Sequence, residues 1–410
     1  MAVLSLAAAC GEGGSADERY ARDAATAVPS IERSVGRKFK SVPRIEARTR
    51  SEVRVFLEKS FDEQMPTLAL AGRERTYKRL GLLPDSLHLR STMIDLLTEQ
   101  VVGYYDPATK VLYVVRDARA DLAEITIRHE LIHALQDQYF PLDSILRIRD
   151  DDQQLAAQAA VEGQAVWEEM TIMANGANPE NLVQGGWDAI RQRIRSDRQD
   201  MPKLAAAPVL LQESLLFPYL SGAEFLRQFK VQGLPAWPFD SLPESSAQIM
   251  HPAKYFGHRV PPLHIALPPL DGGAERLTEN TLGEFETRIF VYEQSHDLNL
   301  AARAAAGWAG DRYVLASLGD GRDALAWALA WDTPVDAGEF MDALDFALPI
   351  RYPGIKRIAG SADHRQFEGG GRTVEVTAVT VDGHPVVLYS DVPAGVDPHL
   401  IDAARIRVSR

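Results

Sequence analysis

The chain has 410 residues, of which 46% are hydrophobic and 25% are charged. At roughly 100–200 residues per domain, this length predicts two or three domains, each large enough to bury its own core. Because 57 acidic residues outnumber 44 basic ones and give a net charge of −13, the composition argues against a nucleic-acid-binding protein, whose affinity depends on neutralising phosphates. No apolar run reaches the roughly 18 residues that a transmembrane helix needs.

The single cysteine of the chain, Cys10, excludes an internal disulfide framework, a Cys-based zinc finger and an iron–sulfur cluster. It follows a short apolar run that ends in three alanines, and it precedes a stretch rich in Gly. This order is similar to a bacterial lipoprotein signal, in which the cysteine becomes the lipidated first residue. The similarity implies an extracytoplasmic protein attached to a membrane through Cys10, with residues 1–20 as leader and flexible tether; the alternative is a cytoplasmic protein with an incidental thiol.

The first part of the chain is predicted to contain several helices and one hairpin. Residues 21–97 show helical spacing with short breaks. Two β-rich runs, residues 100–105 and 111–115, flank an Asp-Pro turn and predict a hairpin. Residues 117–139 return to helical spacing. The apolar positions of that helix are Leu122, Ile125, Ile132 and Leu135.

Two further helices are predicted at residues 155–174 and 210–232. A Pro-rich segment, residues 233–273, follows them, and its last part, Leu267–Gly273, is the preferred domain boundary. The part of the chain before this boundary is therefore predicted to be mostly helical with one small sheet.

The C-terminal part of the chain is predicted to mix strands and helices. Residues 337–347 favour a helix, and the runs 373–381 and 385–390 flank an Asp-Gly turn and favour a hairpin. Three further runs fit strands or short amphipathic segments: residues 284–291, 313–317 and 324–330. The fold class predicted for the whole chain is therefore α+β.

The motif that carries chemistry is His-Glu-Leu-Ile-His at residues 129–133, inside a predicted helix. At 100° per residue, His129 and His133 lie 40° apart and one turn along the helix, so both imidazoles can bind one metal ion. Glu130 projects beside them and can reach a water molecule on the same metal. The side chains expected on the buried face are Leu131, Ile132 and Leu135. The preceding hairpin is also typical of zinc peptidases, in which a sheet edge pairs with an extended substrate.

A third metal ligand is expected further along the chain. A histidine six residues after His133 would indicate the metzincin pattern, and this chain has none there. Glu162 is an acid among small apolar residues on the next long helix, and a buried carboxylate needs a partner such as a metal ion. Gly163 and the neighbouring alanines allow two helices to approach closely around the ion. Glu168 and Glu169 are expected to be solvated.

The order His-Glu-Leu-x-His-Ala-x-x-Asp, followed by Glu-Gly-x-Ala on the next helix, resembles the gluzincin zinc metallopeptidases. Four other stretches resemble a group of uncharacterised bacterial metallopeptidase-like proteins: Gly103–Pro107, Phe217–Gly222, His251–Tyr255 and Gly307–Arg312. The resemblance spans about residues 35–350, and its mechanistic part covers residues 129–169. It implies a zincin-like metallopeptidase domain, and the boundary at Leu267–Gly273 places this domain at residues 21–268, before a C-terminal α+β domain at residues 269–410.

The resemblance also implies roles for individual residues. His129, His133 and Glu162 match the zinc ligands, and Glu130 matches the general base. Asp137 matches an aspartate one turn beyond the second ligand, which either orients a ligand ring or the helix, or is an ordinary solvated or capping residue.

One position departs from the gluzincin pattern. These enzymes have an Asp four residues after the ligand Glu, where this chain has Val166, so the bond that orients the first histidine must come from another group. The group that stabilises the oxyanion in gluzincins is a downstream Tyr or His. The main candidates are Tyr219 and His251, and the further candidates are Tyr255 and His258.

These residues predict a zinc-dependent peptidase that acts on a peptide or protein substrate. Three protein ligands leave Zn²⁺ an open position for water, whose pKa falls to about 7. Glu130 accepts the proton of that water and later delivers it to the leaving amine. The sequence specifies neither the cleavage site nor the oligomeric state.

Two other functions remain open at this point. One is a catalytically inactive, zinc-stabilised binding or assembly lipoprotein whose cleft is filled by residues 233–273. Its partner surface would be the C-terminal module, in which Trp308, Trp331 and Asp311 have no catalytic spacing. The other is a zinc hydrolase that acts on a non-peptide amide.

Overall fold

The computed structural model describes residues 16–182, 192, 201–233 and 237–410. The predicted signal with Cys10 lies outside these residues. The first helix begins at Ala16, so the last five residues of the predicted tether are helical. None of the described helices has the length and apolarity needed to cross a membrane.

The described chain has the predicted α+β class. The helices are α1 Ala16–Val35, α2 Arg50–Gln64, α3 Thr67–Leu80, α4 Leu89–Gln100, α5 Ala120–Asp137, α6 Asp151–Met173, α7 Pro202–Ala206, α8 Val209–Val231, α9 Ser246–Met250, α10 Gly283–Ser295, α11 Leu298–Ala305 and α12 Pro334–Arg351. The strands are β1 Arg44–Arg48, β2 Gly103–Asp106, β3 Val111–Val115, β4 His264–Ala266, β5 Glu275–Asn280, β6 Trp308–Ser317, β7 Asp323–Trp331, β8 Lys356–Gly360, β9 His364–Gly369, β10 Arg372–Val381, β11 His384–Pro393 and β12 Arg407–Ser409.

The chain forms two compact units that interleave along the sequence. The smaller unit takes residues 1–57, 100–142 and 165–182, and the larger unit takes the remainder. Residues 151–173 form one continuous helix, α6, that contributes to both units.

The smaller unit contains a three-stranded sheet in the order β1-β3-β2. The predicted hairpin is confirmed as the antiparallel pair β2 and β3. The prediction of helix throughout residues 21–97 is wrong at Arg44–Arg48, which pairs with β3 in parallel as β1. The central strand β3 is buried along its whole length, as its Val-Leu-Tyr-Val-Val sequence favours.

Helix α5 packs on this sheet through residues spaced three and four apart. Leu131, Ile132 and Leu135 are buried as predicted. Leu122 and Ile125, predicted to lie on the same apolar face, are exposed, and Ala123 and Ile127 are buried in their place. The buried face is therefore rotated by one to two residues in the first half of the helix.

The larger unit contains an antiparallel seven-stranded sheet in the order β5-β6-β7-β11-β10-β9-β8. The predicted C-terminal hairpin is confirmed as β10 and β11. Asp382 and Gly383 both have positive φ, as a two-residue type I′ turn requires. Residues 313–317 and 324–330 are strands, whereas residues 284–291 belong to helix α10.

A buried carboxylate organises the start of α10. Asp311 accepts the indole N–H groups of Trp308 and Trp327 and the backbone N–H groups of Leu282 and Gly283. Burial raises the pKa of Asp311 to about 6, against the lowering effect of these donors. Trp308, Trp331 and Asp311 are all buried, so these three side chains are not exposed to a partner.

Helices α6 and α8 of the larger unit approach each other at two glycines. A Cβ atom on Gly163 would lie 2.1 Å from the carbonyl carbon of Gly222. A Cβ atom on Gly222 would lie 2.1 Å from the carbonyl oxygen of Ala159. Close helix approach at Gly163 is thus present, and the neighbouring helix is α8.

We expect Gly163→Ala to lower the free energy of unfolding by about 1–3 kcal/mol, because the added methyl group must push two helix backbones apart. Urea denaturation followed by circular dichroism measures the change. Gly338→Ala on α12 is the matched control, since its Cβ would meet no atom within 4 Å. Helix propensity predicts that Gly338→Ala raises the free energy of unfolding by up to about 1 kcal/mol. A Gly163→Ala protein as stable as wild type would contradict the tight crossing.

Candidate metal centre

The two histidines of α5 lie side by side, as their spacing predicts. Their ring centroids are 4.7 Å apart and the rings are nearly perpendicular, at 84°. The ligand atoms of His129, Glu130 and His133 all lie within 4.8 Å of one another. All three side chains are buried or half-buried. Two imidazoles and a carboxylate form a donor set suited to zinc, copper, iron or nickel.

The δ nitrogen of each imidazole faces a side-chain oxygen within the smaller unit. His133 Nδ1 lies 2.7 Å from Oε1 of Gln136, three residues along the same helix. His129 Nδ1 lies 3.6 Å from Oε2 of Glu169 on α6. The hydrogen-bond distance to Gln136 favours, for His133, the tautomer with the proton on Nδ1, in which Nε2 carries the lone pair that binds a metal.

Glu130 is held by the neighbouring strand. Its Oε2 accepts the backbone N–H of Tyr105 at 2.8 Å. Tyr105 belongs to β2, which is an edge strand of the three-stranded sheet. The carboxylate is therefore oriented by the main chain at an edge of the sheet.

Asp137 links the end of α5 to the hairpin through hydrogen bonds. Its side chain is only 2% exposed and accepts hydrogen bonds from Tyr105 Oη at 2.8 Å, Lys110 Nζ at 2.5 Å and the backbone N–H of Leu142 at 3.2 Å. Burial, and next the bond to Asp137, raise the pKa of the Tyr105 hydroxyl well above its usual value. Of the alternatives for Asp137, orientation of the helix agrees with these contacts. The ring of His133 contacts Gln136 instead.

The expectation that Glu168 and Glu169 are solvated is wrong. Glu168 is buried, and Ser34 Oγ donates a hydrogen bond to its Oε2 at 2.6 Å. Glu169 is 8% exposed, and its Oε1 is buried without a hydrogen-bond partner among the described residues. Glu162 lies half-buried on α6, in the part of that helix that belongs to the larger unit, and it is not one of the three residues that converge.

The candidate oxyanion donors all belong to the larger unit. Tyr219 is exposed on α8, three residues before Gly222. His251 Nε2 lies 2.5 Å from Oε1 of the buried Glu284. Tyr255 donates its hydroxyl to the carbonyl oxygen of Ser241 at 2.5 Å. His258 is exposed.

Sequence reasoning missed two residues that face the histidines, Gln136 and Glu169. A signal for Gln136 was present, because residues three apart on a helix are neighbours. A weaker signal for Glu169 was its position seven residues after Glu162, which returns a helix to nearly the same face.

Residues 271–395 match a family model described as a domain of unknown function, DUF8575. No curated protein and no solved structure is significantly similar to the chain. The matched segment begins beside the predicted domain boundary and does not include the histidine motif.

We expect Tyr105→Phe to lower the free energy of unfolding by about 1.5–3 kcal/mol, because its hydroxyl donates to an ionised carboxylate that is almost fully buried. Chemical denaturation measures the change. Tyr104→Phe on the same strand is the control, since its ring stacks on Phe56 at 4.2 Å and its hydroxyl contributes no hydrogen bond within the described chain. That variant should stay within about 0.5 kcal/mol of wild type; equal losses in both would contradict the role given to the Asp137 bond.

Proposed function

We propose that the chain is a zinc-dependent peptidase, with His129, His133 and Glu162 as the zinc ligands and Glu130 as the general base. The observation that carries the proposal is the convergence of the His129, Glu130 and His133 ligand atoms within 4.8 Å of one another. The bond between His133 Nδ1 and Gln136 adds support, because it favours the metal-binding tautomer of that ring.

The assignment of Glu162 as third ligand rests on helix geometry and on the gluzincin resemblance. Glu162 and Glu169 are seven residues apart on α6, so they lie within about 20° of each other around the helix axis. Because Glu169 faces His129, this spacing supports Glu162 as a carboxylate on the same helix face. The gluzincin pattern also has its ligand Glu directly before a glycine, as Glu162 is before Gly163.

In the proposed reaction, zinc held by these three ligands would supply Lewis-acid chemistry toward a water molecule and the peptide carbonyl. Glu130 accepts the proton of the attacking water and later delivers it to the nitrogen of the leaving amine, without a covalent intermediate. The edge strand β2 would bind the substrate backbone in an extended form.

For the oxyanion donor we favour Tyr219 over His251. His251 is engaged with the buried carboxylate of Glu284, and its replacement would leave that carboxylate without this partner. Tyr219 is exposed on the helix that meets α6 at Gly163, next to the proposed ligand. The site would act outside the cytoplasm if Cys10 is lipidated as its flanking residues imply.

We expect Glu130→Gln to bind one zinc ion per chain as wild type does and to cleave peptides about 10²–10⁴-fold more slowly, because the amide cannot accept the water proton. Metal analysis and digestion of a quenched-fluorescence peptide library measure the two properties. Glu124→Gln, on the exposed side of the same helix, is the control and should keep full activity. Full activity in Glu130→Gln would refute the mechanism.

We expect Glu162→Ala to lose zinc after dialysis against a mild chelator, since it removes one of three protein ligands. Metal stoichiometry is measured beside Glu130→Gln, which should retain the ion, and beside His133→Ala, which should not. An unchanged zinc content in Glu162→Ala would show that another residue completes the site.

A further inference from the structure

The gluzincin pattern leaves one task unassigned in this chain. A metal-bound histidine usually gives its second ring N–H to an oxygen acceptor, which fixes the tautomer and the ring orientation. The position that supplies this acceptor in the pattern is occupied by Val166, which has no acceptor atom. His129 therefore needs another partner.

Glu169 has the geometry of that partner. Its Oε2 is 3.6 Å from Nδ1 of His129, which is an ion-pair distance and longer than a hydrogen bond. Glu169 is three positions after Val166 on α6. The two positions are therefore about one turn apart and lie on the same side of the helix. Position 169 is one helical turn further along α6 than the Asp position of the pattern. The side chain of Glu is also longer than that of Asp.

The burial of Glu169 supports a role for its contact with His129. The residue is 8% exposed, and its Oε1 is buried with no hydrogen-bond partner in the described chain. An ionised carboxylate in this position is costly unless positive charge is nearby. A divalent cation on the far side of His129 would supply that charge through the imidazole.

The neighbouring residue holds this part of α6 in place. Glu168 Oε2 accepts the hydroxyl of Ser34 on α1 at 2.6 Å. The two adjacent glutamates thus have different contacts, since one binds α1 and the other faces the ring of His129. His133 has a neutral side-chain oxygen, that of Gln136, at the equivalent nitrogen.

We propose that Glu169 is the positioning residue of His129, which fixes its Nδ1-protonated tautomer and strengthens Nε2 as a metal ligand. This proposal rests on the proposed metal site, and it names the residue that replaces the acceptor missing at position 166. Glu169 acts through the imidazole and contacts neither substrate nor the reacting atoms.

The test is zinc affinity of the full chain, measured by competition with a coloured chelator. Removing such an acceptor typically weakens metal binding 10–100-fold, so Glu169→Gln should weaken zinc binding by that factor. Glu169→Asp keeps the charge and should lose less affinity than Glu169→Gln. The matched control is Glu168→Gln, which should bind zinc within 2-fold of wild type even if losing the Ser34 bond lowers its melting temperature.

Two further measurements distinguish an effect of Glu169→Gln on the metal site from an effect on the stability of the whole protein. Cobalt substituted for zinc reports the ligand field in its visible absorption, and Glu169→Gln should shift these bands whereas Glu168→Gln should not. The metal-free melting temperature, measured in excess chelator, should be no lower for Glu169→Gln than for wild type, because the variant removes a buried charge.

The outcomes distinguish this proposal from the proposed function. Wild-type zinc affinity in Glu169→Gln, or equal losses in Glu168→Gln and Glu169→Gln, would overturn the positioning role alone. A wild-type protein that binds zinc but cleaves no peptide would overturn the peptidase and leave the affinity test valid. A wild-type protein that binds no zinc would overturn both.

Discussion

The proposed chemistry depends on how the two imidazoles of α5 are held by their δ nitrogens. A helix alone brings His129 and His133 within reach of one ion, but it does not fix which nitrogen of each ring is protonated. Gln136 and Glu169 face these nitrogens from outside the motif. The hairpin orients the third member, because the N–H of Tyr105 donates to Glu130. Groups from α5 itself, from α6 and from β2 therefore contact five consecutive residues.

Each supporting element is itself fixed by a local constraint. The hairpin is joined to the end of α5 by the buried carboxylate of Asp137. Helix α6 is joined to α1 through Glu168 and Ser34, and it meets α8 where Gly163 and Gly222 have no side chains. Buried polar groups and two glycines thus constrain the positions of these elements in addition to hydrophobic packing.

The sequence predicted the features that depend on local patterns. The histidine motif, helices α5, α6 and α8 and both hairpins follow from spacing and turn chemistry, and the structure contains them. Strand β1 was missed because its polar sequence, Arg-Ile-Glu-Ala-Arg, becomes a strand only by pairing with β3, more than 60 residues away. The burial of Glu168, Glu169 and Asp311 was missed for a similar reason, since packing by distant segments decides how deep a charged residue lies. The same limit applies to His251, whose partner Glu284 is 33 residues distant.

The tryptophans are distributed unevenly between the two units. Among the described residues, Trp237, Trp308, Trp327 and Trp331 belong to the larger unit and Trp167 belongs to the smaller one, while the sixth tryptophan of the chain, Trp187, lies outside the described residues. Two of the four donate their indole N–H groups to the single carboxylate of Asp311. Intrinsic fluorescence consequently reports mainly on the larger unit, and an unfolding curve followed by emission alone would record little of the unit that carries the histidine pair.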